Sequence, residues 1–254
     1  MYKNVVKEML QNKQPVLGCI VNGAFPALVE MIGLAGFHFV FIDSEHSSLS
    51  VRECEELVRA AEVRHIMPFI RTPENNPKTI LRYLDIGAMG IIVPEVNSKE
   101  EAEAAVQAVR YAPSGIRGLA TTRCADFGYC KSKSEYLKEA NQETMLIALI
   151  ESKKAVEHAE EILSVEGVDA VMIGTSDLSM SLGLLGQVDH PLVLAAYEKV
   201  LTLGLKMGKP IGVIVRDGES PRKYFEQGIS MAFTSINSLI KSAARDFITQ
   251  GMGK

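Results

Sequence analysis

Glu151 and Asp177 each stand just past the end of an apolar run, MLIALI before the first and DAVMIG before the second. The runs read as buried strands over residues 145–151 and 169–174, joined by a helix over residues 152–163. In a parallel α/β sheet the ends of consecutive strands are neighbours on one rim. Two carboxylates converging there suit a hard divalent cation with oxygen ligands, with positions left for water and substrate. Taken singly, Glu151 would cap a helix and Asp177 would sit in an Asx turn. Their pairing at strand ends favours a site.

Other polar residues collect at the ends of apolar runs. Asp43, Glu45 and His46 follow one (HFVFIDSEHSS), and Arg71 ends another (IMPFIR). Pro94–Glu95 end a third. Arg216 ends a later one but runs into Asp217–Gly218, which reads as turn chemistry, and Asn237 follows the last. His46, three residues after Asp43, is placed for a carboxylate to orient its ring. His38, His65, His158 and His190 lie at strand starts or on helices and read as structural.

These groups define a chemistry. A metal held by Glu151 and Asp177 would chelate a 2-oxo acid through its keto and carboxylate oxygens and make the adjacent methyl or methylene acidic. Arg71 would donate to the keto oxygen and stabilise its developing charge. His46, directly or through water, would move the proton of an aldol hydroxyl. The backbone N–H groups of Ser176 and Asp177 are placed to hold a substrate carboxylate. A Schiff-base route needs a lysine pointing inward from a strand, and no apolar run contains one. Lys153 starts a helix and Lys209 precedes a strand.

The elements that must position these groups alternate along the chain. Strands are predicted over residues 15–21, 38–43, 66–71, 89–93, 145–150, 170–173, 210–215 and 230–234. Helices are predicted over residues 3–12, 25–35, 50–63 (with Ser48 as N-cap), 77–86, 98–109, 152–163, 190–205, 220–227 and 237–249. Eight short buried strands alternating with helices predict an α/β fold, a (β/α)8 TIM barrel as a single domain over residues 1–254. A doubly wound sheet is the alternative, but its Gly-x-Gly-x-x-Gly turn is absent. Residues 111–144 are too long for a simple connection. They are expected to fold over the barrel mouth or to contact a partner subunit.

Composition narrows the partners. The 254 residues are 47% hydrophobic and 23% charged, with a net charge of −4, which carries no nucleic-acid footprint. No apolar run approaches membrane-span length, and no signal-peptide core precedes the first strand. Cys19, Cys54, Cys124 and Cys130 show neither C-x-x-C nor zinc spacing and read as reduced thiols of a cytoplasmic protein.

The segments FIDSEHSS, Arg71 after its strand, VRYAPSGIRG, LIES and VEGVDAVMIGTSDLSMSLG resemble the HpcH/HpaI aldolase family. Those enzymes are metal-dependent pyruvate aldolases, typified by 2,4-dihydroxyhept-2-ene-1,7-dioate aldolase. The likeness spans nearly the whole chain. It implies a barrel whose last helix is exchanged with a neighbour, in a homohexamer built as a trimer of dimers. It also implies Mg, Mn or Co at Glu151 and Asp177, His46 with Asp43 as the acid/base pair, and Arg71 as the enolate-stabilising group.

The chain departs from the family pattern at four places. Leu149 stands where the family usually has Gln, two residues before the metal-binding Glu, and Gly174-Thr175-Ser176-Asp177 replaces Gly-Pro-Ala-Asp. Glu95 adds a charge, and Asn237 stands where Asp is common. The resemblance, with the strand-end residues, implies a lyase that splits a 4-hydroxy-2-oxo acid, such as 2,4-dihydroxyhept-2-ene-1,7-dioate, into pyruvate and an aldehyde. Related enolate chemistry with another acceptor (citrate-synthase-like, or on an acyl-CoA) and a non-catalytic 2-oxo-acid-binding barrel are the alternatives.

Overall fold

The computed structural model describes residues 1–129, 132–216 and 218–253, so Cys130 and Asp217 lie outside the described residues. The strands are β1 (Val16–Val21), β2 (Phe39–Asp43), β3 (Met67–Arg71), β4 (Gly90–Val93), β5 (Met145–Ile150), β6 (Ala170–Ile173), β7 (Ile211–Ile214) and β8 (Met231–Ser235). They pair in chain order, all parallel, and β8 pairs with β1 to close the barrel. That closure excludes an open doubly wound sheet: the chain is a (β/α)8 TIM barrel.

The helices are α1 (Val5–Gln11), α2 (Pro26–Leu34), α3 (Val51–Val63), α4 (Pro77–Asp85), α5 (Lys99–Val109), α6 (Lys133–Glu143), α7 (Lys153–Glu157), α8 (Ala159–Ser164), α9 (Thr175–Ser181), α10 (Pro191–Met207), α11 (Pro221–Glu226) and α12 (Ile236–Met252). α3 is capped by Ser50, not Ser48. The Ser50 hydroxyl accepts from the Glu53 N–H, and the Glu53 carboxylate accepts from the Ser50 N–H, a reciprocal capping box. The helix predicted over residues 152–163 breaks at His158, where α7 ends and α8 begins.

Alternation along the strands sorts side chains between two cores. Phe39, Phe41, Met67, Phe69, Ile147 and Leu149 join one apolar cluster inside the barrel, while Val40, Ile42, Ile70 and Ala148 pack outward under the helices. The Phe39 and Phe69 rings stack with centroids 5.1 Å apart. Each fills space that a side chain on a neighbouring strand would need. A Cβ on Gly18 would lie 2.1 Å from the Phe39 ring, and one on Gly90 2.5 Å from the Phe69 ring. The same alternation makes Asp43, Arg71 and Glu151 the next inward positions above this plug.

The described residues between 110 and 144 cover the base of the barrel, at the N-terminal ends of the strands, and not its mouth. Arg110 donates to the Thr144 carbonyl and the Asp169 carboxylate, and Arg123 pairs with Glu62 and donates to the Ile86 carbonyl. Tyr111, Ala125, Tyr136 and Ala140 form a small core there. α1 closes the same end, with the Asn4 side-chain amide donating to the Met89 and Glu143 carbonyls. No helix among the described residues is long and apolar enough to cross a membrane.

Candidate active site

β2 and β3 carry the first half of the site. Register places Asp43 opposite Arg71. Arg71 Nε donates to Asp43 Oδ1 at 2.9 Å and Nη2 to Oδ2 at 2.7 Å, a bidentate pair. The N–H groups of Glu45 and His46 also donate to Asp43 Oδ1, at 3.2 and 3.3 Å. Burial acts to raise the Asp43 carboxyl, but the Arg71 hydrogen bonds and charge outweigh it and hold the group below the usual carboxylate range. Burial alone would lower Arg71; Asp43, Glu45 and Glu151 raise it, so the guanidinium stays charged. It also lies 5.5 Å from the centroid of the Phe41 ring, one inward step below.

Glu45 continues the inward face of β2 by two residues. Its Oε2 lies 3.1 Å from Arg71 Nη1 and 3.9 Å from His46 Nε2, yet it is buried without a hydrogen-bond partner. Burial raises this carboxyl, Arg71 and His46 oppose the rise, and the charges of Asp43 and Asp177 add to it. The His46 ring is largely exposed, and its only ion-pair contact among the described residues is with Glu45. The structure thus separates the predicted Asp43–His46 pair. Asp43 reaches His46 through the backbone N–H, and the carboxylate facing the ring belongs to Glu45.

β5 and β6 carry the other half. Glu151 is 5% exposed. Its Oε1 accepts from the Glu95 N–H at 2.8 Å, and Glu95 adopts a left-handed backbone (φ 52°) to present that group. The loop is tied down further by the Asn97 side chain, which donates to the Glu95 carbonyl at 2.7 Å and accepts from the Ser152 hydroxyl. Oε2 turns toward Gly174, where a Cβ would lie 3.0 Å from it. Burial raises the Glu151 carboxyl to about 7; the Glu95 bond lowers it, Glu45 and Asp177 push it up, and Arg71 pulls it down. Leu149, one inward step below, floors this half of the site in the cluster with Phe41, Met172 and Phe233.

Asp177 and Ser176 are exposed in the first turn of α9. The first intrahelical bond runs from the Leu178 N–H to the Gly174 carbonyl, so the N–H groups before it point out of the helix end. Arg216, set aside above, pairs with Asp189. His38 Nδ1 accepts from the Leu17 N–H and His190 Nδ1 from the Leu192 N–H, which are structural roles. Cys19 and Cys54 are buried thiols raised to about 12 by that burial.

The donor set fits a hard divalent cation. Glu45, Glu151 and Asp177 place three carboxylates around one rim facing Arg71, and the two acidic neighbours raise Glu151. A bound cation would relieve that repulsion. No group of three or more His, Cys, Asp or Glu side chains among the described residues is arranged as a metal site.

Glu45 and Glu95 were named among the polar residues at strand ends, but the part each plays, like that of Gly174, was not apparent from residue type. The Glu95 contribution comes through its backbone, and that of Gly174 through a missing side chain. The signal for Glu45 was its parity with Phe39, Phe41 and Asp43.

Residues 17–240 match the family model described as HpcH/HpaI aldolase/citrate lyase. A 5-keto-4-deoxy-D-glucarate aldolase from Escherichia coli O139:H28 (strain E24377A / ETEC) is 34% identical over 238 residues, covering 93% of this chain and 91% of that protein. A HpcH/HpaI aldolase/citrate lyase family protein from Burkholderia cenocepacia J2315 superposes with a TM-score of 0.92 at 30% identity, over 98% of this chain and 100% of that one. The citrate synthase SbnG superposes with a TM-score of 0.86 at 30% identity, over 98% of each chain.

Proposed function

The chain belongs to the HpcH/HpaI aldolase/citrate lyase family, and from that membership and the rim geometry we propose that it is a divalent-metal-dependent carbon–carbon lyase. Its substrate is a 4-hydroxy-2-oxo acid, split into pyruvate and an aldehyde and re-formed in reverse. The observation that carries this reading is the buried Glu151 carboxylate. One oxygen is fixed by the Glu95 N–H, and the other faces Gly174 on a rim shared with Asp177 and Arg71.

Glu151 and Asp177 would hold the cation (Mg, Mn or Co), which when bound supplies Lewis-acid polarisation of a 2-oxo acid. The N–H groups of Ser176 and Asp177 hold the substrate carboxylate. Arg71 donates to the keto oxygen and stabilises the charge that grows on it. His46 takes the proton of the 4-hydroxyl as the C3–C4 bond breaks; the aldehyde leaves and the bonding pair passes to the pyruvate enolate. Asp43 fixes the guanidinium of Arg71 in place.

The substrate of the Escherichia coli relative belongs to the same class. Counted from its keto end, 5-keto-4-deoxy-D-glucarate is also a 4-hydroxy-2-oxo acid. It and 2,4-dihydroxyhept-2-ene-1,7-dioate are the first compounds to assay. The likeness to SbnG favours a second reading, in which the same enolate chemistry serves condensation onto oxaloacetate.

A homo-oligomer, a trimer of dimers in the family pattern, fits the surface of α12. Ile240, Phe247, Ile248 and Met252 are exposed on that helix, and a cavity of about 430 Å³ lies between it and β8.

The test is exchange of pyruvate methyl protons in deuterated water, followed by NMR. Metal-stripped protein, protein with added Mn or Mg, and Glu151→Gln are compared. Exchange that needs metal and is lost in the variant is expected. Pyruvate bound without exchange by the metal-loaded wild type would overturn the lyase reading and leave a binding barrel.

A further inference from the structure

We propose that Glu45 is the carboxylate that positions the His46 imidazole for proton transfer, a role that rests on the lyase reading above. Asp43 is engaged elsewhere. Its Oδ1 accepts from Arg71 Nε and from the N–H groups of Glu45 and His46, and its Oδ2 accepts from Arg71 Nη2, so its link to His46 runs through the backbone. Glu45 is the opposite case. Its Oε2 is buried and accepts no hydrogen bond, although it lies between Arg71 Nη1 at 3.1 Å and His46 Nε2 at 3.9 Å.

A buried acceptor without a donor is costly. A small rotation of the exposed His46 side chain brings a ring N–H into range and removes that cost. Glu45 then accepts from one ring nitrogen, so the other is left unprotonated and free to take the substrate proton. When the ring becomes cationic, the Glu45 charge stabilises it. The titratable and charged groups facing Glu45 are Arg71, His46, Asp43, Asp177 and Glu151. Arg71 is the divider: its fork is filled by Asp43 on one side, and its remaining Nη1 holds Glu45 beside the ring without satisfying it.

Two measurements test this, one of them independent of turnover. The 15N shifts of the His46 ring report its tautomer. A single dominant tautomer is expected in the wild type and in Asp43→Asn, and a mixture in Glu45→Ala. An unchanged tautomer in Glu45→Ala, or a mixture in Asp43→Asn, would overturn the assignment.

The second measurement is cleavage of 5-keto-4-deoxy-D-glucarate by the metal-loaded protein. Glu45→Gln should lower kcat roughly 10–100-fold, with KM and melting temperature little changed, and should cost nothing further in a His46→Ala background. A wild-type kcat, or an equal added loss in that background, would show that Glu45 does not act through His46. Failure of the lyase reading would appear differently, as a wild type without pyruvate exchange, and the tautomer result would still decide the role of Glu45.

Discussion

Asp43 and Arg71 face each other across the β2–β3 register and are locked by two hydrogen bonds, 2.9 and 2.7 Å long, with both side chains mostly buried. Removing Arg71 leaves the buried Asp43 carboxylate with no ion-pair partner among the described residues. Arg71→Ala should destabilise the protein by about 3–5 kcal/mol. Arg71→Ala/Asp43→Asn should recover part of that loss without recovering activity. Urea unfolding decides: a single variant within about 1 kcal/mol of wild type would mean that the pair behaves as a surface salt bridge.

The Glu151 carboxyl is raised to about 7 by burial first and by the acidic neighbours second. In the metal-free protein the folded state therefore binds this proton more tightly than the unfolded chain does. The resulting stability is fully present below the unfolded carboxylate range, near pH 4.5, and is lost as pH rises toward 7, by on the order of 3 kcal/mol. A cation must displace the same proton, so its affinity should fall up to about tenfold per pH unit below 7. Denaturation and Mn titration between pH 5 and 8 check both slopes. Glu151→Gln should flatten the stability slope; an equal slope in the variant would locate the proton elsewhere.

The barrel was legible because eight apolar runs of strand length alternate with helices, although an open doubly wound sheet shares that pattern and is excluded by the pairing of β8 with β1. Asp43, Arg71 and Glu151 were legible as polar residues at the ends of such runs. Which group each would touch was not. Asp43 is taken by Arg71 because parallel register sets the two opposite, a relation between residues 28 positions apart. Residues 111–144 read as one irregular stretch, which missed α6, and the docking of its described residues on the base depends on contacts such as Arg123 with Glu62, 61 positions away. Local periodicity has no access to such pairs.

Gly174 tests how Glu151 is aimed. Its φ is −91°, so alanine fits the backbone there. Yet a Cβ would lie 2.8 Å from Glu151 Cβ and 3.0 Å from its Oε2. Gly174→Ala should turn the carboxylate away and weaken Mn binding by about 10–100-fold, with the barrel still folded. Calorimetric titration measures the first and circular dichroism the second. Full Mn affinity would show that the oxygen facing Gly174 is not a ligand.

Leu149 closes the floor of the site. It is 5% exposed, pairs in register with Met172 and shares a cluster with Phe41 and Phe233. Glutamine has similar length, so Leu149→Gln fits the space but carries an amide into an apolar layer, at a cost of about 1–3 kcal/mol when unpartnered. A 2-oxo acid seated above Glu151 would supply the missing partner. Pyruvate should therefore raise the melting temperature of Leu149→Gln more than that of the wild type, since a ligand that favours the folded state stabilises by its affinity for it. Thermal melts with Mn, with and without pyruvate, give the comparison. A variant that is destabilised yet shifted no further than wild type would mean that the amide cannot reach the donor substrate, and that Leu149 acts only as packing.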